Sequence, residues 1–300
     1  MLDAKITTLL VVVEKKSFTK AAETLGLTQP AVSQHIRQLE EDLGIKLFNR
    51  SERTLRLTKE GEIAVKYASR IVQLYENLRL AIKDSKKNVK HLTVGVSHTS
   101  ESNVVSEVFA KYAKEHEGVN IRILSDDINN LYNKLKTYQI DLIVAEGRIL
   151  DYNFNSILLD TDCLVLAVGN QNPLSKRSVI TLDELKKEKL ILRLPNSGTR
   201  SLFEAHLESN NEDLDAFNVT IEVDNIATIK DLVIHDFGVS ILPKSACLNE
   251  IRKKKLTVIP IENLSMVREI NIVYHKDFEH MDILRGITSI YHKLSASRTD

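Results

Sequence analysis

The chain has 300 residues, 43% of them hydrophobic, so it exceeds one ordinary domain and can bury at least one substantial core. Its 41 basic and 41 acidic side chains balance overall but not locally: residues 1–90 carry 17 and 11, net +6, and the rest carry 24 and 30, net −6, so the N-terminal part suits a polyanion. Cys163 and Cys247 fit neither a disulfide framework nor a zinc-ligand spacing. No apolar run reaches the roughly 18–20 residues needed to cross a bilayer, and Leu2-Asp3-Ala4-Lys5 opens no export signal, so a cytoplasmic protein without a membrane partner is expected.

Leu2, Ile6, Leu9, Leu10 and Val13 recur at helical spacing and predict a first amphipathic helix ending near Lys15-Lys16. Ser17 or Thr19 caps a second, short helix through Ala21-Ala22, which Gly26 ends. Thr28 then caps a third helix with Pro30 in its first turn, where a missing N–H costs little. On this third helix Val32, Ile36, Leu39 and Leu43 form a predicted core stripe. Gln29, Ser33 and Arg37 fall on another face at four-residue spacing, with Gln34 beside them. Any solvated helix carries such residues, but after a tight helix-turn-helix they suit a recognition helix in the major groove of double-stranded DNA.

The next segments sharpen that reading. Gly44 to Phe48 leads through Asn49-Arg50-Ser51-Glu52-Arg53 into Thr54 to Thr58, two short alternating segments around a turn, which predict a hairpin wing carrying Arg50, Arg53 and Arg56. Guanidinium groups there are placed to grip phosphate. From Thr58 to about Lys87 no proline interrupts a helical pattern whose apolar positions are Ile63, Tyr67, Ile71, Leu74, Leu78 and Ile82. So long a helix on so small a domain predicts a dimerising linker.

These residues resemble the LysR-type family of transcriptional regulators. Phe18-Thr19-Lys20-Ala21-Ala22, Leu27 to Ser33, Ile36-Arg37-Gln38-Leu39-Glu40, Leu43-Gly44, Leu47-Phe48-Asn49-Arg50 and Leu57-Thr58-Lys59-Glu60-Gly61 match its N-terminal pattern in order and spacing. The resemblance implies that Gln29, Pro30, Ser33, Gln34 and Arg37 are recognition-helix contacts and that Arg50 and Arg53 lie on the wing. It also implies RNA polymerase as a partner and a homodimer or homotetramer.

Beyond His91 strands and helices alternate in a βαβαβ order, which predicts a parallel sheet under helices, and a second such unit starts near Cys163. The expected fold class is α/β with an all-α, winged-helix N-terminal domain. The winged helix-turn-helix occupies residues 1–58, the linker helix 59–88 and the effector domain 89–300, with subdomains of about 91–160 plus 269–300 and 161–268. The effector part resembles the family's domain of periplasmic-binding-protein type, two α/β subdomains joined by two crossing strands. Gly238 to Pro243 matches a segment of that fold.

A cleft between such subdomains is bounded by strand C-termini and helix N-termini, whose free N–H groups favour an anion. Ser97, Thr99 and Ser100 follow the first strand, and Ser197, Gly198, Thr199 and Arg200 follow the corresponding strand of the second unit. Together they suit an anionic small-molecule effector, although Ser and Thr before a helix more often simply cap it. Glu146, Arg148 and Ile226 to Thr228 lie where further cleft loops fall. The Arg252 to Lys255 run is read as a solvated turn.

Other functions find less support. The sequence holds no G-x-S-x-G, G-x-G-x-x-G, G-x-x-x-x-G-K-[ST] or H-E-x-x-H motif, so neither an enzyme nor a cofactor or metal site is expected. A secreted solute-binding protein would not need the DNA-binding head. A purely architectural DNA binder would leave the cleft without a ligand. The apolar surroundings of Cys163 argue against redox sensing, because sensor thiols are exposed and acidic.

Overall fold

The computed structural model describes residues 2–49, 55–85, 89–100, 104–147, 151–195 and 197–299. The chain divides into two compact units, Met1–Lys90 with Lys136–Gln139 and His91–Leu135 with Ile140–Asp300.

In the first unit, α1 spans Ala4–Lys15, α2 Phe18–Leu25 and α3 Gln29–Leu43. Each begins at a side chain that accepts from an otherwise orphaned N–H: Asp3 from Lys5, Ser17 from Lys20, Thr28 from Ala31. Gly26 and Gly44 close α2 and α3 in the left-handed region, where a side chain would be strained. The three helices bury Leu9, Val12, Ala21, Ala22, Val32 and Ile36 with Leu47 and Phe48.

One position departs from the predicted stripe. Leu43, the last residue of α3, is 51% exposed, and Glu40 takes the inward place at 5%. The Glu40 carboxylate accepts from the Leu47 N–H at 2.8 Å and pairs with Lys46 at 3.0 Å, so the turn that it anchors satisfies the buried charge.

Phe48 and Leu57 form an antiparallel bridge, and the Asn49 N–H donates to the Arg56 carbonyl at 2.9 Å. This is the base of the expected wing; Arg50 and Arg53 lie outside the described residues. Helix α4 covers Lys59–Ser85, with Thr58 Oγ1 accepting from the Gly61 N–H at 2.9 Å. A Cβ on Gly61 would come within 2.2 Å of the Leu47 carbonyl oxygen, so this close approach requires glycine. The apolar stripe from Ile63 to Ile82 stays exposed on the single chain.

The second unit runs β1 (Lys90–Ser97), α5 (Val105–Glu115), β2 (Val119–Asp126), α6 (Ile128–Lys136), β3 (Leu142–Glu146), β4 (Phe154–Gly169), α7 (Leu182–Leu185), β5 (Lys189–Arg193), α8 (Gly198–Ser209), β6 (Asn218–Val223), α9 (Ile226–Ile234), β7 (Ser240–Pro243), α10 (Lys244–Arg252), β8 (Leu256–Ile259), β9 (Val267–His275) and α11 (Met281–Thr299).

The sheet is mixed rather than parallel. Its order is β2-β1-β3-β9-β4-β7, with β8 also on β4, and β5 and β6 form a separate parallel pair that meets Val239 through Leu190. β1 and β3 are parallel, as the βαβ order requires, but β9 returns from the far end of the chain and runs antiparallel to both β3 and β4.

β4 starts nine residues before the predicted strand at Cys163. Its first half pairs with β9 from Phe154↔His275 to Cys163↔Val267, and its second half pairs with β7 and β8. β4 and β9 therefore run from one subdomain into the other. One subdomain core gathers around Val94, Phe109, Leu142, Ile272 and Leu284, the other around Leu166, Leu190, Phe203 and Ile241.

Candidate functional site

On α3 Gln29, Pro30, Gln34 and Arg37 are exposed, as are Gln38, Glu41, Asp42 and Leu43 further along, with Ser33 half-buried and accepting from Gln29 Nε2 at 2.9 Å. The core stripe Val32, Ile36 and Leu39 points the other way, which is why these polar groups share the outer face. A groove of about 280 Å³ lies beside it, lined by Ser33, Arg37 and Glu40 from α3 and by Phe48, Asn49 and Leu55 from the wing base. Arg37 has no ion-pair partner among the described residues, so its guanidinium is available to a phosphate or a base edge.

The second unit carries a cleft of about 260 Å³ between its subdomains. Every wall is a strand C-terminus or the loop after it: Ser97 to Thr99 after β1, Asp126 to Ile128 after β2, Glu146 at the end of β3, Arg193 and Leu194 at the end of β5, Ser197 and Gly198 opening α8, and Asp224 after β6. Parallel βαβ winding brings these ends to one edge, and helix N-termini there add N–H groups.

Glu146 accepts from Ser97 Oγ at 2.8 Å and Ser100 Oγ at 2.7 Å, and Arg268 Nη2 lies 3.9 Å away. Arg268, on β9, also donates to Asp162 of β4 at 3.2 Å. Across the cleft Arg193 is 3% exposed and donates one Nη2 bond to Asp224 at 3.1 Å. Burial pulls the Arg193 guanidinium below its ordinary pKa, with Asp224 opposing the shift. Among the described residues Arg193 Nε and Nη1, Arg268 Nε and Nη1, and Thr199 Oγ1 are buried without a partner. Polar groups so buried are normally satisfied.

Of the residues singled out in the sequence, Ser97, Thr99, Glu146, Ser197 and Gly198 line this cleft. Ser100 braces Glu146 from behind, and Thr199 is buried one residue inside α8. Arg200 turns away: it pairs with Glu204 at 2.8 Å and with Glu222, and its Nη1 donates to the Arg193 carbonyl at 3.3 Å. Ile226 packs into the core with Ile229 and Val233, and Thr228 is exposed with only its N–H engaged, by Asn225. Neither lines the cleft. Arg148 and Asn196 lie outside the described residues.

Sequence reasoning missed Arg193, Asp126, Asp127, Asp224 and Arg268. The first four each end or follow a predicted strand, so the rule that α/β crevices form at strand C-termini could have found them. Among the described residues no three His, Cys, Asp or Glu side chains gather as a metal set, and no helix is long and apolar enough to cross a membrane.

A helix-turn-helix with a wing, a long helix with an exposed apolar stripe and a two-subdomain α/β unit enclosing a polar cleft define a DNA-binding regulator with a ligand-binding module. Residues 4–62 match the model of the bacterial regulatory helix-turn-helix proteins of the lysR family, and residues 85–285 match that of the LysR substrate binding domain. The chain belongs to the LysR family of transcriptional regulators. It is 28% identical over 269 residues to the HTH-type transcriptional regulator CysL of Bacillus subtilis, covering 89% of each chain. It is 30% identical over 272 residues to a probable RuBisCO transcriptional regulator of Thalassiosira pseudonana, again 89% of each. Among solved structures, full-length CbnR complexed with its target DNA aligns with a TM-score of 0.68 at 17% identity, over 98% of this chain and 99% of that one. A full-length OxyR variant from Pseudomonas aeruginosa gives 0.65 at 20% identity, over 96% and 93%. At these identities the structural likeness is one of fold.

Proposed function

We propose that this chain reads an inverted-repeat DNA site with α3 and its wing, and that a small-molecule effector in the 260 Å³ cleft alters transcription from that site. The cleft carries the reading: strand C-termini and the start of α8 gather Ser97, Thr99, Glu146, Arg193, Ser197 and Gly198 around it, the place where α/β folds bind small molecules. The outer face of Gln29, Pro30, Ser33, Gln34 and Arg37 supports direct readout, with Arg50 and Arg53 gripping the backbone. CbnR is known in complex with its target DNA, which supports the same use of this fold here.

The exposed stripe of α4 supports a homodimer that sets two recognition helices in successive major grooves, and a homotetramer spanning two such sites is the assembly we favour. Effector binding favours one subunit arrangement, changing DNA bending and contact with RNA polymerase. The protein acts by binding alone, without catalysis or a cofactor, in the cytoplasm.

The test is genome-wide mapping of the purified protein on fragmented DNA of its own source at about 0.15 M salt, which suppresses sequence-independent phosphate binding. A few sharp inverted-repeat sites are expected, and uniformly weak binding overturns the regulator reading. At such a site Arg37→Ala is expected to lose about 1–3 kcal/mol and relax specificity, whereas Arg53→Ala lowers the salt slope by about one.

A further inference from the structure

Helix α6 belongs to both compact units. Its body, through Leu135, lies in the effector unit, while its last residue, Lys136, and the turn to Gln139 lie in the unit of the DNA-binding helices. At its start Asp126, Asp127 and Ile128 wall the cleft, and Asp127 caps the helix by accepting from the Asn130 N–H at 2.9 Å. At its other end the final carbonyls lack intrahelical donors, and α4 supplies them. Arg70 Nε donates to the Lys136 carbonyl at 2.8 Å, and Asn77 Nδ2 donates to the Tyr138 carbonyl at 3.1 Å.

This clasp is built rather than incidental. Tyr138 stands at φ 60°, a left-handed conformation that a bulky side chain adopts only under constraint, and the Asn77 bond falls on its carbonyl. Gln73 donates to Asn77 Oδ1 at 2.9 Å, which turns the Asn77 amide nitrogen toward Tyr138. Arg70, Gln73 and Asn77 follow one another at spacings of three and four, a polar row along α4. The Arg70 guanidinium also lies 5.4 Å from the ring centroid of Tyr67, a member of the exposed apolar stripe.

Between its ends α6 is a stiff connector of about 13 Å. Leu131 and Leu135 are buried against Ile143, Phe154 and Val273, and Lys134 reaches back to Asp126. A shift of the cleft end therefore moves the Lys136 and Tyr138 carbonyls with it.

We propose that α6 carries the state of the cleft to the linker helix, with Arg70 and Asn77 as the positioning residues that couple the two. This rests on the cleft being the effector site. An effector seated against Asp127 and Ile128 displaces the start of α6, and the clasp passes the displacement to α4. Through Arg70 and Tyr67 it reaches the stripe on which a second copy packs, and so the spacing of the recognition helices.

The test needs no effector, because Asp127→Ala loosens the cleft end of α6 by removing its cap. Hydrogen exchange of the α4 amides around residues 70–77 is measured in the full chain, with and without Asp127→Ala, in the parent and in Arg70→Met/Asn77→Leu. Asp127→Ala is expected to speed that exchange at least about threefold in the parent and to leave it unchanged once the clasp is removed. Operator affinity should show the same dependence. Asn77→Asp, which changes almost no volume but removes the donor, should also uncouple the two ends, and thermal unfolding of each variant shows that it is folded. A merely structural clasp would lower stability and leave the response to Asp127→Ala intact. Equal responses in both backgrounds, no response in the parent, or an operator affinity indifferent to Asp127→Ala overturns the proposal. If α4 responds as expected but no operator exists, the regulator reading falls and the coupling through α6 stands.

Discussion

Asp162 on β4 and Arg268 on β9 are partnered residues of the two strands that run between the subdomains, and their side chains meet at 3.2 Å with both nearly excluded from water. Asp162 further accepts from Ser245 Oγ at 2.6 Å and the Ser245 N–H at 3.2 Å, tying α10 to the crossing point. Breaking a buried pair strands the other charge, so Arg268→Ala is expected to destabilise the effector unit by about 3–5 kcal/mol. Denaturant unfolding measures this. A double change, Arg268→Met with Asp162→Asn, should cost less than the sum of its singles because it removes both charges together. A loss under about 1 kcal/mol for Arg268→Ala would mean the pair is solvated in solution.

What could be read from the sequence divides along the range of the interactions. Caps and helix stops in the first unit are local: Thr28 and Ala31 are three residues apart, and Gly26 and Gly44 need nothing beyond their own turns. The long α4 was likewise plain from an uninterrupted pattern. The first half of β4 was not, because Phe154 to Asp162 buries only Phe154, Leu159 and Asp162 fully and its one apolar run, Ile157-Leu158-Leu159, is three residues long. Its strand state is imposed by pairing with β9 more than a hundred residues later. The direction of β9 was hidden in the same way.

The cleft followed a similar logic. Ser97 and Ser197 announced themselves by position before a helix, but Arg193 closes an apolar strand and looks there like an ordinary solvated end. Arg200 looked like a ligand group because Glu222, which pairs with it, stands on β6, a strand joined to β5 only by tertiary pairing. Ile226 was misplaced among the cleft loops, although with Ile229 and Val233 it forms a three- and four-residue stripe, a core pattern that outweighs its place after a strand.

Glu40 joins recognition helix and wing through the Leu47 N–H and Lys46. Glu40→Ala leaves that N–H unsatisfied and opens a void, and should lower the stability of the DNA-binding unit by about 2–3 kcal/mol. Glu40→Gln keeps an acceptor and should lose roughly half as much. Thermal unfolding and operator affinity should fall in the same order, and equal losses in both variants would show that the charge matters rather than the hydrogen bond.

The cysteines are expected to be inert. Burial pushes the Cys247 thiol up to about 12, and burial with the Asp162 charge also raises the half-buried Cys163. Thiolate, the reactive form, is scarce in both. In the native protein at neutral pH, Cys247 should resist iodoacetamide and Cys163 should react slowly, both becoming fast in denaturant. Peroxide should leave operator binding unchanged. Rapid native labelling of either thiol would reopen a redox role.

Asp126 gives the effector unit a defined acid sensitivity. Burial would raise its carboxyl, but hydrogen bonds from Lys134, Asn130 and the Asp127 N–H outweigh burial and hold it at about 2, against an ordinary 3.8. A carboxylate depressed in the folded state contributes stability that is complete above the unfolded pKa and fades as pH falls through the folded one, here between about 4 and 2. The full shift would correspond to about 2 kcal/mol, and partial exposure of both side chains reduces the expected contribution to about 1 kcal/mol. Lys134→Met removes the strongest support, so it should destabilise the protein by about that amount at neutral pH. Its deficit relative to the parent chain should shrink on acidification, become small near pH 2, where Asp126 of the parent is half protonated, and vanish below it. Denaturant unfolding along that pH series decides the matter: a deficit that persists undiminished at the acid end would mean that Lys134 stabilises α6 by packing rather than through the Asp126 charge.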